Sequence, residues 1–344
     1  MTLEPVGTDC YSLSVSKFMI NSVIKVLFTV LVTVVFSGCG TIIGWGRADI
    51  MRLERNLLQW NTIAAGKPEL PVIPPVGRLD SPTLKPLVRE MNALFDIAFR
   101  VMVGMEAADG TDAAGRAGVV EIDPVLNERI ADTTASLVRI AIDRETGDDN
   151  PFVYGLLLDR SGWVLTVKHP FVPQNTEMTD VYLSGLDGTG GYPMVYRFVD
   201  TDTDLMLARF NLADAEQSGP PAGTVSPLLE AAPRFAIPRE GDAVWVADPG
   251  SQMLLTVLGV GQPLSLGDER VYKGNIVTDA PEGLFGYRSG APLFGRDGAI
   301  HGLYYHRSLD GTTGGFAALM DVPRQVGRIV LEYLTRGASP GSVQ

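Results

Sequence analysis

From about residue 134 onward the sequence predicts a mainly β fold, either a barrel or a sandwich, preceded by a helical region. Short β-rich runs separated by Gly, Asp and Pro are typical of such all-β domains. Two pairs of apolar runs flank the turn sequences D-R-S-G at 159–162 and G-R-D-G at 295–298, which supply the backbone angles that a tight hairpin needs. Ahead of residue 134, apolar residues recur at helical spacing instead.

The composition indicates a globular protein whose partners are proteins or peptides. The chain has 344 residues, 45% of them hydrophobic, which is enough for one large domain or two ordinary ones. Its formal net charge of −12 argues against a nucleic-acid partner, because nucleic-acid binders neutralise phosphates with clustered Lys and Arg. Both cysteines, Cys10 and Cys39, lie near the N-terminus, so the body of the chain has neither an internal disulfide nor a cysteine-based metal site.

Residues 1–38 are predicted to be a signal peptide. An uncharged apolar run at 26–36 follows Lys17 and Lys25 and precedes small residues, as in secretory signals, and it is shorter than the roughly 20 apolar residues that span a bilayer. The following motif, F-S-G-C, resembles the lipobox of bacterial lipoproteins, which implies that Cys39 is lipidated and becomes the mature N-terminus. The alternatives are a plain signal peptide with an incidental cysteine and an uncleaved anchor.

The lipobox resemblance also implies a location. The protein is expected in the bacterial cell envelope, attached to the membrane through its lipid and facing the periplasm or the exterior. Translation from Met19 instead of Met1 is a further alternative, since it leaves a compact basic region and removes Glu4 and Asp9, which are unusual in a signal peptide.

Three segments lie between Cys39 and the β domain. Apolar residues at helical spacing predict an amphipathic helix within 39–66 and another helix over 83–103, the latter inside a helical segment, 83–133. The intervening 67–82 is rich in proline and is predicted to be an extended, semi-stiff linker. Residues 46–130 as a whole have no His, no Cys and no phosphate-binding glycine pattern. This region is therefore predicted to be a spacer or a cap on the following domain.

Five blocks of the β region resemble those of Deg/HtrA-type and related trypsin-like peptidases. In chain order they are GLLLDRSGWVLTVKHPF, DTDTDLMLARF, REGDAVWVADPG, RSGAPLFGRDGAIHGLYY and GGFAALMDVPRQVGRIVLEYL. The resemblance covers 134–336 and implies a trypsin-like double β-barrel, two six-stranded barrels with an active site in the cleft, followed by a C-terminal helix over 322–335. The tail, 337–344, is too short for a PDZ domain, so none is expected.

Three residues stand where the family places its catalytic triad. The resemblance implies that His169, directly after the strand W-V-L-T-V-K, is the base, that Asp204 orients it, and that Ser289 is the nucleophile. A hydroxyl needs such a base, and the base needs a group that fixes its tautomer. The alternatives are a structural histidine and a plain turn serine. This chemistry requires no metal or organic cofactor.

A calcium loop is a rival interpretation of the aspartate cluster. Asp204 follows Asp200 and Asp202 in a D-x-D-x-D pattern. A calcium loop would also need Gly at its sixth position and Glu at its twelfth, where this chain has Leu205 and Asn211. The pattern therefore favours calcium only weakly.

The chain departs from the family around the nucleophile. The resemblance assigns the oxyanion hole to the N–H groups of Tyr287 and Ser289, but the family has glycine where this chain has Tyr287, and Ala291 replaces a second glycine. Losing one oxyanion donor typically costs about 100- to 1000-fold in turnover. A one-residue shift that lets Gly286 restore the turn is an alternative.

The same resemblance gives expectations about specificity and function. Gly283 is implied at the base of the primary pocket and 303–306 at its wall, and the bulk of that wall predicts a shallow pocket for small apolar side chains. The leading hypothesis is a serine endopeptidase that cleaves protein or peptide substrates. The alternatives are a catalytically impaired protease-fold binding or scaffold lipoprotein, and a purely structural envelope lipoprotein.

Overall fold

The structure is a computed structural model. It describes residues 46–75, 79, 84–109, 124–142, 152–171, 181–188, 190–199, 202–212, 234–265, 271–308 and 311–336. The predicted signal peptide, Cys39 and the tail 337–344 lie outside these residues. The chain divides into two units, Met1–Arg55 and Asn56–Gln344, and in the first unit residues 46–55 are helical.

Twelve strands in the second unit form two closed antiparallel barrels. The first barrel has the strand order β1-β2-β3-β6-β5-β4, with β1 Leu137–Ile142, β2 Phe152–Leu157, β3 Trp163–Val167, β4 Val181–Ser184, β5 Tyr192–Val199 and β6 Leu205–Phe210. The second has the order β10-β11-β12-β9-β8-β7, with β7 Ala243–Asp248, β8 Ser251–Ser265, β9 Val271–Asp279, β10 Pro292–Phe294, β11 Ile300–Arg307 and β12 Thr313–Ala318. The predicted trypsin-like double β-barrel is confirmed by this topology.

The two turn sequences join hairpins. D-R-S-G connects β2 to β3, where Leu156 pairs with Leu165, and G-R-D-G connects β10 to β11, where Pro292 pairs with Leu303. Large side chains of the strands are almost fully buried, among them Trp163, Phe210, Trp245, Phe294 and Phe316. Each such buried apolar side chain stabilises the fold by about 1.5–3 kcal/mol relative to an exposed one.

Four α-helices accompany the barrels in the described part of the chain. They are α1 at 46–64, α2 Val88–Asp109 after a 3₁₀ turn at Lys85–Leu87, α3 Pro124–Ala135, and α4 Val322–Arg336. The helix predicted over 83–103 therefore begins and ends later than expected. No helix within the described ranges is both long enough and apolar enough to cross a membrane.

The proline-rich segment differs from the linker that the sequence predicts. The Trp60 indole N–H donates to the Pro71 carbonyl at 2.9 Å, and the Asn61 side chain exchanges two hydrogen bonds with the backbone of Ile73, at 2.7 and 2.9 Å. Gly327 of α4 lies against both Trp60 and Pro71, since a Cβ there would collide with them. Proline removes a donor but leaves its carbonyl free to accept, so the described part of this segment around Pro71 and Ile73 is packed against α1 and α4.

Helix α2 is joined to the first barrel through a partly buried ion pair. Glu90 Oε1 lies 2.7 Å from an Arg209 terminal nitrogen on β6. Burial raises the pKa of Glu90, and the Arg209 charge opposes that rise. Helix α2 also packs along α4, so this helix of the region predicted to be a spacer or cap is packed against the elements of the double-barrel unit.

Candidate active site

His169 and Asp204 meet at one edge of the first barrel. Strands β3 and β6 are antiparallel neighbours with Val167 opposite Leu205, so the residues just after β3 lie beside those just before β6. The Lys168 N–H donates to the Asp204 carbonyl at 2.8 Å. This backbone link sets the histidine and the aspartate side by side.

The Asp204 carboxylate holds His169 through two contacts. Oδ2 lies 2.7 Å from His169 Nδ1, and Oδ1 accepts from the His169 backbone N–H at 3.0 Å. Asp204 has no solvent exposure. Burial raises its pKa, while the hydrogen bond from His169 and the His169 and Lys168 charges oppose that rise. An acceptor at Nδ1 favours the tautomer that leaves Nε2 free to accept a proton.

Ser289 faces the other ring nitrogen of His169. Its Oγ lies 3.2 Å from Nε2, so the structure brings the three predicted triad residues together in one hydrogen-bonded series. The serine sits in the turn before β10, on the second barrel, whereas His169 and Asp204 belong to the first. The geometry is that of a hydroxyl beside a base that a buried carboxylate orients.

Gly290 fixes the backbone of the turn that contains Ser289. The Tyr154 N–H on β2 donates to the Ser289 carbonyl at 2.9 Å, and the Gly290 N–H donates to the Tyr304 carbonyl at 2.7 Å. Gly290 has φ of 89°, and a Cβ there would collide with the Tyr154 carbonyl. Only glycine combines this backbone angle with this close approach.

The structure offers one free oxyanion donor, where the resemblance implies two. Among the described residues the Ser289 N–H makes no hydrogen bond. The Tyr287 N–H is engaged: it donates to the Leu284 carbonyl at 3.2 Å and closes a 3₁₀ helix, Glu282–Gly286. The proposed shift to Gly286 does not occur either, because Gly286 is in that helix and has no positive φ.

The Tyr287 side chain is anchored on the second barrel. Its ring is buried, with an exposed fraction of 9%. Burial raises the pKa of the Tyr287 phenol, and a hydrogen bond with Ser251 opposes that rise. The Ser251 hydroxyl in turn donates to Asp248 at the β7–β8 turn. Both the backbone and the side chain of Tyr287 therefore stabilise the conformation in which its N–H faces away from Ser289.

The residues predicted to form the primary pocket match the expectation at its wall but not at its base. Gly283 is exposed, while its neighbour Leu284 is fully buried. Leu284 lies against Gly314, because a Cβ on that glycine would approach the Leu284 side chain to 2.8 Å. The predicted wall is bulky as expected, with Leu303, Tyr304 and Tyr305 all buried.

Two further side chains lie beside His169, and only Tyr305, in the predicted pocket wall, was singled out from the sequence. Tyr305 places its ring centroid 6.5 Å from that of His169, and Lys168 places its Nζ 4.6 Å from the centroid of the Tyr272 ring. Lys168 directly precedes His169 and is 3% exposed. The sequence shows a lysine directly before the predicted base. That this lysine is buried becomes visible only in the fold.

The rival calcium interpretation gains no support from the described residues. Asp202 lies 3.5 Å from an Arg324 nitrogen, and Arg324 also pairs with Asp321 at 3.1 Å. Asp200 lies outside the described residues. Within them, no three His, Cys, Asp or Glu side chains are grouped so as to hold a metal ion.

Comparison with known proteins gives similarity to solved structures alone. No family model and no curated protein matches the chain. An inactive form of Rv3671c protease is 19% identical with a TM-score of 0.39, over 61% of this chain and 98% of that one. The active form, from M. tuberculosis, is 18% identical with a TM-score of 0.42, over 67% and 97%. The MamO protease domain from Magnetospirillum magneticum is 16% identical with a TM-score of 0.37, over 54% and 92%.

Proposed function

We propose that the protein is a serine endopeptidase of the bacterial cell envelope. Ser289 acts as the nucleophile, His169 as the general base and Asp204 as the group that orients the base. The observation that carries the proposal is the hydrogen-bonded series across the two barrels, with Ser289 Oγ 3.2 Å from His169 Nε2 and His169 Nδ1 2.7 Å from Asp204 Oδ2.

The reaction proceeds by acyl transfer. Ser289 Oγ attacks the carbonyl carbon of the peptide bond while its proton passes to His169 Nε2. Buried Asp204 stabilises the resulting imidazolium and keeps its ring in place. His169 then delivers that proton to the leaving amine as the C–N bond breaks. Water, deprotonated by the same nitrogen, hydrolyses the ester on Ser289 and restores the free serine.

The oxyanion of the tetrahedral intermediate has one ready donor. The Ser289 N–H is available for it, whereas the Tyr287 N–H must first leave the Leu284 carbonyl. Since each such donor is worth about 100- to 1000-fold in turnover, the resting conformation supports slow catalysis. A peptide substrate that occupies the hole supplies an alternative acceptor for the Tyr287 N–H.

The envelope location belongs to the same proposal and rests on the sequence. The apolar run at 26–36 and the F-S-G-C motif ending at Cys39 support export and lipid attachment of the mature chain. Mass spectrometry of the membrane fraction tests this part, with a diacylglyceryl-modified Cys39 as the expected N-terminal residue. An unmodified N-terminus downstream of Cys39 would contradict it.

A second candidate function is a protease-fold binding or scaffold protein. The specific observation in its favour is the engaged N–H of Tyr287. The two functions differ in whether Ser289 is chemically activated, because a merely exposed serine hydroxyl is inert at neutral pH.

A fluorophosphonate probe separates the two candidates. With purified residues 40–344, we expect labelling at Ser289, identified by peptide mass spectrometry, and no labelling of Ser289→Ala or His169→Ala. Ser136→Ala is a matched control, since Ser136 lies at the end of α3 and donates to the Asp132 carbonyl. A folded wild-type protein that remains unlabelled would favour the scaffold function.

A further inference from the structure

Two arginines enclose one aromatic ring beside the nucleophile. The guanidinium carbons of Arg139 and Arg288 each lie 4.0 Å from the centroid of the Phe152 ring. Both cations therefore contact the same ring. We name Arg139, Phe152 and Arg288 the cationic cluster.

The cationic cluster borders Ser289 by direct backbone connection. Arg288 precedes Ser289 in the chain, and Phe152 begins β2, the strand whose Tyr154 N–H donates to the Ser289 carbonyl at 2.9 Å. The ring of Phe152 also contacts Tyr154 edge-on at 5.5 Å between centroids. A peptide that reaches Ser289 therefore passes close to the cluster.

Arg288 presents its charge to solvent. Its side chain is exposed, and within the described residues no carboxylate forms an ion pair with it. Asp248 lies near enough for its charge to raise the pKa of Tyr154, which burial also raises, whereas the charges of Arg288 and Arg139 lower it. In a chain with 40 acidic and 28 basic residues, an exposed arginine beside the nucleophile that forms no ion pair within the described part of the chain is a candidate binding group.

Stacking on Phe152 prepares the Arg288 guanidinium group for a carboxylate. Cation–π contact holds this planar group by its face, so the N–H donors at its edge remain available. Arginine presents these donors in a rigid fork that matches a carboxylate, and a fork already held in position loses less conformational entropy on binding.

We infer that Arg288, held on Phe152 in the cationic cluster, is a substrate subsite that binds a carboxylate near the scissile bond, and thus that the enzyme prefers acidic peptides. This inference rests on the proposed function and names its substrate class. The carboxylate is either an Asp or Glu side chain or the C-terminus of the peptide, which share the same chemistry toward arginine.

Binding to a variant without the nucleophile tests the subsite apart from catalysis. We use Ser289→Ala of residues 40–344 and fluorescein-labelled Ala/Ser octapeptides in which one Glu or one Gln moves through the positions. The expected result is binding about 3- to 10-fold tighter for Glu than for Gln at one or two positions, with a ratio that falls as salt rises. Amidated and free C-termini distinguish the two sources of the carboxylate.

Arginine variants assign the preference to the cluster. In the Ser289→Ala background, Arg288→Gln should lower the Glu/Gln affinity ratio to about one. Arg288→Lys should retain part of the preference for Glu. Arg160→Gln is the matched control, because Arg160 is an exposed arginine in the turn at the opposite end of β2, and it should leave the ratio unchanged. Equal affinity for all peptides, no binding, or a ratio that survives Arg288→Gln would overturn the inference.

The chain itself offers a competing occupant. The segment 143–151, directly before Phe152 and outside the described residues, contains Asp148 and Asp149. A Glu/Gln ratio that arises only after both are changed to Asn would make this segment the occupant and overturn the substrate subsite. If fluorophosphonate labelling fails but Glu peptides still bind more tightly than Gln peptides, only catalysis is refuted. If Ser289 is labelled but Glu and Gln peptides bind equally, only the subsite is refuted.

Discussion

Replacing Tyr287 with glycine is expected to speed the phosphonylation of Ser289 by about 5- to 30-fold. To aim its N–H at the oxyanion, residue 287 must leave the Leu284 carbonyl and abandon its present φ of −82° and ψ of 140°. The lost hydrogen bond costs about 1 kcal/mol net in any variant. Entry into a positive-φ conformation costs a residue with a Cβ a further 1–2 kcal/mol or so, and glycine removes that second cost, which gives the predicted factor.

The assay measures second-order labelling rates with a neutral fluorophosphonate. Tyr287→Ala is the matched control, because it removes the buried ring but keeps the Cβ, and we expect it to label at about the wild-type rate. Tyr287→Phe removes only the hydroxyl that contacts Ser251. Thermal unfolding of each variant checks that the fold is intact.

Two outcomes would refute this reasoning. Equal acceleration in the glycine and alanine variants would show that the anchored ring, and not the backbone angle, holds the N–H away from Ser289. An unchanged rate in Tyr287→Gly would show that residue 287 does not supply the second oxyanion donor.

Two further predictions concern other positions. Gly290→Ala should abolish labelling and destabilise the protein by more than Gly250→Ala. Both glycines have φ near 90° (89° and 91°), but of these two only Gly290 would place a Cβ against a backbone carbonyl. Equal losses of unfolding free energy in urea would refute the collision. Burial lowers the pKa of His301, whose Nδ1 lies 2.8 Å from the Ala236 carbonyl, so the unfolded chain binds a proton that the folded protein does not. Stability should therefore fall by up to about 1.4 kcal/mol per pH unit as pH drops below about 6.5. In urea unfolding at pH 7.5, 6.5 and 5.5, the unfolding free energy of His301→Asn should fall less per pH unit than that of the wild type; equal falls would contradict this.

The double barrel could be predicted because its signals are local. Turn residues and alternating apolar runs mark the β2–β3 and β10–β11 hairpins directly in the sequence. His169, Asp204 and Ser289 each stand beside a recognisable strand, so the resemblance could suggest that they meet. Their roles in catalysis stay a prediction until labelling is measured.

The state of the oxyanion hole could not be predicted, because it depends on the orientation of one peptide plane. The same residues allow the Tyr287 N–H to face Leu284 or the hole, and sequence carries no signal for this difference of a few kcal/mol. The stacking of Arg288 on Phe152 was equally hidden, since it joins residues from different barrels. The packing of Pro71 against Trp60 also depends on tertiary contacts that proline spacing does not reveal.

Helix α4 has a consequence for the order in which the protein is made. The Gln325 side chain donates to the Leu205 carbonyl at 2.9 Å, one residue beyond Asp204, and Tyr333 contacts the Tyr196 ring at 5.6 Å between centroids. Translation runs from the N-terminus, so all twelve strands are synthesised before this helix. The first barrel lacks the brace beside Asp204 during that interval, and a nascent chain therefore gains this contact only when synthesis has passed residue 325.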